Sequence, residues 1–258
     1  MAVTLASRHL SVHFGGHVAV NAATAEFRAG ELTAIVGPNG AGKTTYFNLL
    51  SGQIRASSGQ VLLGGLDITR ASAPARADLG LGRAFQLTNL FPRLSVLENV
   101  RLAVQSRARA GFNFLARTGV RVDLIQQAHG HLEAAGLSAR AQDTAASLPH
   151  GDKRKLEVAM LMALQPKVLM LDEPTAGMSA DEVPRVLDLI RTLKAQGDRT
   201  ILLVEHKLDV IRSLADRIIV LHNGTLVADG APAQVMNSQI VKDAYLGTSP
   251  STQRVAHA

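Results

Sequence analysis

A glycine-rich segment between a strand pattern and a helix pattern restricts the fold more than any other feature of this chain. Residues 37–45 read GPNGAGKTT and fit the pattern G-x-x-x-x-G-K-[ST]. The apolar run 32–36 before it predicts a buried strand, and residues 43–50 are compatible with a helix. Glycines let the backbone wrap around anionic oxygens, and the start of a helix offers free N–H groups. The order therefore predicts binding of a nucleoside triphosphate. The alternative is a glycine-rich turn with a chance lysine.

Individual residues of this loop have separate predicted roles. Lys43 is expected to reach the β- and γ-phosphates, and the Thr44 hydroxyl is expected to ligate Mg²⁺. The predicted nucleotide contacts of the loop are Gly37, Asn39, Gly40, Ala41, Gly42, Lys43, Thr44 and Thr45.

An acidic motif at the end of a second strand pattern indicates hydrolysis as well as binding. The apolar run 168–171 ends in Asp172-Glu173-Pro174. A carboxylate at the carboxyl end of a buried strand beside a phosphate loop is suited to Mg²⁺, so Asp172 is the predicted metal ligand. Glu173, one residue further on, is placed to orient or deprotonate the attacking water. The alternative is that these charges merely end a strand in solvent.

Taken together, these motifs resemble the ATP-binding subunits of ABC transporters, over about residues 5–247. The resemblance implies roles for three further residues. Gln86 matches the glutamine loop, which senses Mg²⁺ and contacts the membrane partner. His206 matches the switch histidine near the γ-phosphate, and Phe14 matches the aromatic residue that stacks on adenine. Taken singly, they would read as a strand-end polar residue, a structural histidine and a core aromatic residue.

The signature motif of that family is altered in this chain. The usual Leu-Ser-Gly-Gly-Gln is replaced by Leu148-Pro-His-Gly-Asp152. The resemblance implies that Leu148 and Gly151 contact a nucleotide. Pro149, however, removes both the serine hydroxyl and a backbone N–H, and Asp152 adds negative charge where a phosphate is expected to dock. A relaxed signature of this type resembles that of branched-chain amino-acid transporters.

The pattern of apolar segments predicts an α/β P-loop NTPase with a mainly parallel sheet. A small antiparallel β part is expected near the N-terminus, and helices are predicted at 96–104, 124–135 and 155–164. These helices predict a helical subdomain, at about residues 89–164, inserted in a single domain that spans residues 5–248. The segment 218–228, with Asn223-Gly224 at its centre, predicts a β-hairpin. The polar tail 249–258 is expected to be mobile.

Composition limits the class of protein. Of the 258 residues, 47% are hydrophobic and 19% charged, which is typical of a globular chain. No apolar run reaches about 18 residues, and the first residues lack a signal layout, so we expect a cytoplasmic protein. The absence of cysteine excludes disulfides and thiolate metal sites. The net charge of +6 is concentrated between Arg101 and Arg121. This stretch is interpreted first as a solvated surface, then as a surface near anionic lipid or an acidic membrane partner, and only last as a nucleic-acid site.

The resemblance also implies a function and partners. It implies an ATP hydrolase that powers an importer, placed on the inner face of the cell membrane. The implied partners are integral membrane permease subunits, a second cassette (identical or different) and a solute-binding protein, with no nucleic acid. Details such as residues 14–16 and 244–247 resemble the branched-chain amino-acid type. The alternatives are a urea or amide importer, a lipopolysaccharide exporter, a soluble non-transport ABC ATPase and a small-molecule or nucleotide kinase.

Overall fold

The computed structural model describes residues 2–84, 90–108 and 118–238. The strands of these residues are β1 (Val3–Phe14), β2 (His17–Arg28), β3 (Leu32–Val36), β4 (Ser58–Leu63), β5 (Leu66–Asp67), β6 (Leu81–Ala84), β7 (Val168–Asp172), β8 (Thr200–Val204), β9 (Arg217–His222) and β10 (Thr225–Gly230). The helices are α1 (Lys43–Ser51), α2 (Ala73–Asp78), α3 (Val96–Arg107), α4 (Thr118–Ala134), α5 (His150–Leu164), α6 (Val183–Ala195), α7 (Leu208–Leu214) and α8 (Pro232–Asn237).

Two sheets organise the chain, and they confirm the predicted fold class. One is antiparallel, in the order β2-β1-β4-β5, and is built from the N-terminal region. The other has the order β10-β9-β3-β8-β7-β6 and is parallel except for its β9–β10 edge. Every residue of β3, β7 and β8 is buried, which explains why these strands read as continuous apolar runs.

The parallel sheet places the functional segments side by side. Strand β8 pairs with β3 on one side and with β7 on the other. Parallel strands end at the same edge of a sheet, so the segments that follow these three strands meet there. Those segments are the phosphate loop after β3, Asp172 and Glu173 at the end of β7, and Glu205-His206 after β8.

The β9–β10 hairpin confirms the prediction from Asn223-Gly224. Both residues have positive φ, at 47° and 75°. Two such residues in a two-residue connection form the type I′ turn that matches the twist of antiparallel strands.

The helices between β6 and β7 are longer than the sequence pattern indicated. Helix α4 begins at Thr118 instead of 124, and α5 begins at His150 instead of 155. The first two turns of α5 contain the charged run 152–155, which has no apolar period and therefore hides the helix start. The buried faces of α3, α4, α5 and α6 contribute to one hydrophobic cluster. Within the described residues, no helix is both long and apolar enough to cross a bilayer. The predicted tail 249–258 and residues 244–247 lie outside the described part of the chain.

Candidate functional site

The phosphate loop is held by its own lysine. Lys43 is only 6% exposed, and its Nζ donates hydrogen bonds to the carbonyl oxygens of Gly37 and Pro38, at 2.7 and 2.9 Å. Burial lowers the pKa of Lys43, while the charges of Glu173 and Asp172 oppose that shift. The ammonium group therefore lies inside the curve of the loop, where a phosphate oxygen can replace a carbonyl as its partner.

Two glycines of this loop are required by close backbone contacts. A Cβ atom at Gly37 would lie 2.1 Å from the carbonyl oxygen of Leu221, and one at Gly42 would lie 2.5 Å from that of Ala19. Gly42 has a φ of 98° and is the N-cap of α1. The loop thus packs against the β9–β10 turn and β2 so closely that only glycine fits.

A cavity of about 390 Å³ lies over the loop and brings most of the predicted site residues together. Phe14, 51% exposed, forms part of its wall. The lining residues are Phe14, His17, Ala19, Asn39, Gly40, Ala41, Gly42, Lys43, Thr44, Thr45, Glu173 and His206. His17 and Ala19 were not expected from the sequence, which carries no local signal for them beyond their closeness to Phe14.

Asp172 is buried at the end of β7 and paired with an arginine. Arg83 Nη2 donates to Asp172 Oδ2 at 2.7 Å, and Arg83 Nη1 donates to Asn48 Oδ1 and Ser51 Oγ at the same distance. The guanidinium also stacks over Phe47, 5.2 Å from the ring centroid. Burial raises the pKa of Asp172, and Arg83 opposes this shift. Arg83 therefore ties β6, β7 and α1 together behind the phosphate loop, a role that its sequence context did not reveal.

Glu173 and His206 contact each other at the mouth of the cavity. His206 Nε2 and Glu173 Oε1 are 2.9 Å apart, and both side chains are about two-fifths exposed. Glu173 has a φ of 50°, and its N–H donates to the Val204 carbonyl at 2.9 Å. A positive φ in a residue with a large side chain costs free energy and commonly marks a functional position. Here it turns the carboxylate off the strand toward the phosphate loop.

A buried carboxylate that the sequence prediction missed positions this pair. Glu205 is 3% exposed; its Oε1 accepts hydrogen bonds from the N–H and hydroxyl of Thr175, and its Oε2 accepts from the N–H of His206. Glu205 thus links the segment after β7 to the segment after β8. The signal that could have found it is the one that found Asp172, an acidic residue directly after a buried strand.

The predicted signature residues lie apart from this cavity. Leu148 is buried in the core, and Gly151 lies in the first turn of α5, where its N–H donates to Glu182 Oε1 at 3.1 Å. Asp152 is paired with two cations, Lys155 Nζ at 2.7 Å and Arg140 Nε at 3.1 Å. These two cations therefore neutralise more of the negative charge of Asp152 than the sequence alone suggested. Gln86 lies outside the described residues.

The donor set near the loop fits Mg²⁺. Thr44 lines the cavity, and Asp172 offers a buried carboxylate that already binds a cationic group, the Arg83 guanidinium. Hydroxyl and carboxylate oxygens are the ligands that Mg²⁺ prefers, and nucleotide phosphates usually complete its shell. No group of three or more His, Asp or Glu side chains gathers into a metal site of its own among the residues described.

Comparison with known proteins identifies the family. The model of the ABC transporter family matches residues 20–176. The chain is 37% identical to the high-affinity branched-chain amino acid transport ATP-binding protein LivG of Salmonella typhimurium, over 94% of this chain and 97% of that protein. It is 36% identical to BraF of Pseudomonas aeruginosa, which carries the same description, over 92% and 95%.

Solved structures agree with these matches. The ADP conformation of MJ1267, an ATP-binding cassette of an ABC transporter, superposes with a TM-score of 0.82 at 25% identity, covering 96% of this chain and all of that one. A nucleotide-free ATP-binding cassette from an ABC transporter gives 0.80, also at 25% identity, covering 95% and 99%.

Proposed function

This chain belongs to the ABC transporter family as an ATP-binding, ATP-hydrolysing subunit, and we propose that it powers the import of branched-chain or related amino acids. The observation that supports the amino-acid cargo is the similarity to LivG and BraF. It extends over more than nine-tenths of this chain and of each relative. The similarity therefore covers the whole cassette, including the helices between β6 and β7, and is not confined to the phosphate loop.

The phosphate loop and Lys43 would hold the triphosphate. The backbone N–H groups at the start of α1 face the cavity, and the helix dipole favours anions there. Lys43 would exchange its bonds to the loop carbonyls for the β- and γ-phosphates. Phe14 would stack on the adenine ring at the open side of the cavity.

Thr44, Asp172 and Gln86 would hold Mg²⁺ beside the phosphates. When bound, the ion would neutralise charge on the β- and γ-phosphate oxygens. Arg83 would keep the Asp172 carboxylate in place at the end of β7, since it binds one of the carboxylate oxygens.

Glu173 and His206 would act on the attacking water. Glu173 accepts the proton of a water whose oxygen bonds to the γ-phosphorus, while the bond from that phosphorus to the ADP oxygen breaks. His206 holds one Glu173 oxygen at 2.9 Å, which fixes the carboxylate beside the loop. Glu205 fixes the backbone of His206 in turn.

The transporter would contain further subunits. The described cavity lacks the signature residues, and we infer that the start of α5, at Gly151, serves the nucleotide of a second cassette, packed head to tail. Leu148, which is buried in the core, would hold that helix start in place. That cassette is either a second copy or a related chain. Two permease subunits would bind the cassettes at the inner face of the membrane, near residues 86–92, and a solute-binding protein would deliver the amino acid.

Uptake measurements test the cargo directly. Cells from which the gene is deleted are expected to lose leucine uptake, and the parent gene should restore it while a gene with Glu173→Gln should not. Urea, amide and leucine uptake are measured separately in the same cells. Unchanged leucine uptake together with lost urea uptake would overturn the amino-acid cargo and retain the ATP-driven transporter.

A further inference from the structure

A second cavity, of about 530 Å³, lies beside β4 and β5, between the loop that follows α1 and the segment that follows β5. Its lining includes Arg55, Arg70 and the hydroxyl residues Ser57, Ser58 and Thr69. Among the residues described, the lining has no acidic and no aromatic side chain, and it shares no residue with the nucleotide cavity. The chain therefore offers a separate concave site that is polar and basic.

The two arginines of this cavity are not neutralised. Neither Arg55 nor Arg70 forms a side-chain hydrogen bond or an ion pair with any residue that the structure describes. The acid nearest to Arg70 along the chain is Asp67, whose Oδ1 accepts from the N–H and hydroxyl of Thr69 and whose Oδ2 accepts from Gln60 at 3.0 Å. The hydrogen bonds from Thr69 hold the pKa of Asp67 below its ordinary value, and the charge of Arg70 adds to that shift. The cavity thus has excess positive charge that an anion can balance.

Both walls of the cavity are fixed by contacts with the backbone. The N–H of Ser57 donates to the Ser11 carbonyl at 2.8 Å, and the Ser57 Oγ accepts the N–H of His13 at 3.1 Å, which leaves its hydroxyl proton available. On the other wall, the carbonyl of Thr69 accepts a hydrogen bond from the buried Arg76 at 2.9 Å. A wall that is already ordered loses little entropy when a ligand binds, so this cavity is suited to a small solute.

We propose that this cavity binds a phosphate ester of a polyol, with the phosphate between Arg55 and Arg70 and the polyol against the hydroxyl groups of Ser57 and Ser58. The proposal goes beyond the proposed function and depends neither on the cargo nor on the nucleotide cavity. Guanidinium groups suit phosphate because their paired N–H groups match two of its oxygens.

The size and lining of the cavity favour a polyol as the organic part of the ligand. The volume exceeds what a lone phosphate fills and lies within the range of small-molecule sites, so an organic part accompanies the phosphate. A nucleoside is disfavoured, because the described lining offers no aromatic ring on which a base would stack. The hydroxyl groups of Ser57 and Ser58 instead match those of a polyol.

Two sources supply this chemistry, a free sugar phosphate and the headgroup of a glycerophospholipid. The loop 52–57 follows α1, whose last turn accepts hydrogen bonds from Arg83 of β6. That strand leads to the region 86–92 where we place the permease, so a headgroup would be close to the cavity at the membrane. A free sugar phosphate needs no such placement. The two sources are therefore tested separately.

Titration calorimetry on the purified chain tests the free ligand. Saturating ADP and Mg²⁺ fill the nucleotide cavity first, so that the phosphate loop cannot account for the heat. We expect glycerol 3-phosphate and glucose 6-phosphate to bind, and glycerol and glucose not to bind. Arg55→Gln and Arg70→Gln should each weaken binding at least about tenfold, since each removes a charge-assisted contact with the phosphate. Arg185→Gln, which changes an exposed arginine of α6, is the control of equal charge and should bind like the parent.

Flotation with lipid vesicles tests the headgroup. Vesicles of phosphatidylglycerol and phosphatidylcholine are compared with vesicles of phosphatidylcholine alone, again with ADP and Mg²⁺. The parent and Arg185→Gln should float with the first kind, whereas Arg55→Gln and Arg70→Gln should not. All three variants remove one positive charge, so a general attraction to an anionic surface predicts the same loss for each.

Either arm supports the site if binding depends on Arg55 and Arg70 and not on Arg185. Binding of the free esters identifies a soluble ligand, and binding of the vesicles alone identifies a headgroup. If neither arm shows this dependence, or Arg185→Gln loses as much binding as the other two variants, the inference is wrong and the proposed function stands. Both arginines are exposed, and unaltered ADP binding confirms that each variant is folded; if one variant fails this check, the other decides.

Discussion

Glu182 binds the N–H of Gly151 through its carboxylate, with 3.1 Å between Oε1 and the backbone nitrogen. Its second oxygen accepts hydrogen bonds from the N–H and hydroxyl of Ser179, each at 3.1 Å. A Cβ atom at position 151 would lie 2.4 Å from Oε1, so the contact depends on glycine. A carboxylate of the same chain thus occupies the start of α5, where the family resemblance places the γ-phosphate of a second cassette's nucleotide.

The first prediction is that Glu182→Gln increases ATP-dependent pairing of cassettes. The amide can still accept from the Gly151 N–H but no longer repels a phosphate that approaches the same helix start. Size-exclusion chromatography with ATP and Mg²⁺ should show a larger dimer fraction than for the parent. Asp181→Asn, an exposed neighbour, is the control. An unchanged dimer fraction for Glu182→Gln would show that the Glu182 carboxylate does not compete with a phosphate for the start of α5.

The contribution of the Glu182 contact with Ser179 and Gly151 to the stability of the fold should depend on pH. Hydrogen bonds from Ser179, and next the contact with Gly151, hold the pKa of Glu182 below its ordinary value of 4.5. A lowered pKa in the folded state means that the ionised contact stabilises the fold fully above 4.5, and that this contribution is lost as the pH falls from there through the lowered pKa. The stability difference between the parent and Glu182→Gln, measured by urea unfolding, should therefore shrink in this acid range. A constant difference from pH 7 to pH 3 would contradict the assignment.

Restoring the signature serine should strengthen nucleotide-bound pairing. Pro149 is the N-cap of α5 and offers neither a side-chain acceptor nor an N–H. Pro149→Ser supplies a hydroxyl, and we expect a larger dimer fraction and faster hydrolysis. Asp152→Gln should increase the dimer fraction less than Pro149→Ser does, because it also breaks the ion pairs with Lys155 and Arg140. Equal dimer fractions for the parent and Pro149→Ser would contradict the idea that the missing serine weakens pairing of the cassettes.

Glu173→Gln should separate hydrolysis from binding. Loss of a general base typically slows the chemical step by about 10²–10⁴-fold, whereas the triphosphate is held mainly by the loop and Lys43. Phosphate release should therefore fall while binding of a fluorescent ATP analogue stays near the parent value, and ATP should accumulate in a closed dimer. Asp188→Asn, on the surface of α6, provides the control. Turnover of the Gln variant at the parent rate would exclude Glu173 as the base.

Arg76→Met should destabilise the fold without touching the nucleotide cavity. Arg76 is 2% exposed and donates to the carbonyl oxygens of Leu49 and Leu50 at 2.7 Å each, and to those of Thr69 and Ala71 at 2.9 and 3.1 Å. Methionine leaves these carbonyls without donors, which should lower the free energy of unfolding by about 2–4 kcal/mol. The exposed Arg93→Met is the control, and urea unfolding measures both. If Arg76→Met lowers the free energy of unfolding no more than the control does, water replaces the guanidinium as the donor to these carbonyls.

Local patterns in the sequence were sufficient to place the glycine loop, Asp172 and Glu173 at one edge of the sheet, whereas the family resemblance was needed to single out His206. The loop and the acidic pair each come after a short apolar run, and buried parallel strands have that signature because both of their faces are covered. The hairpin turn at Asn223-Gly224 was equally predictable, since its two positive φ values favour these residues.

Contacts between distant segments were decided only by the tertiary structure. The pairs Arg83–Asp172, Thr175–Glu205 and Gly151–Glu182 join residues that are 30 or more positions apart. Such pairs depend on which strands neighbour each other and on how α5 packs near α6, so no local pattern encodes them. The burial of Glu157 is of the same kind, and its Oε1 has no hydrogen-bond partner among the described residues. In sequence Glu157 is one acidic residue shortly after the charged run 152–155, and its burial becomes visible only once the helices pack around it.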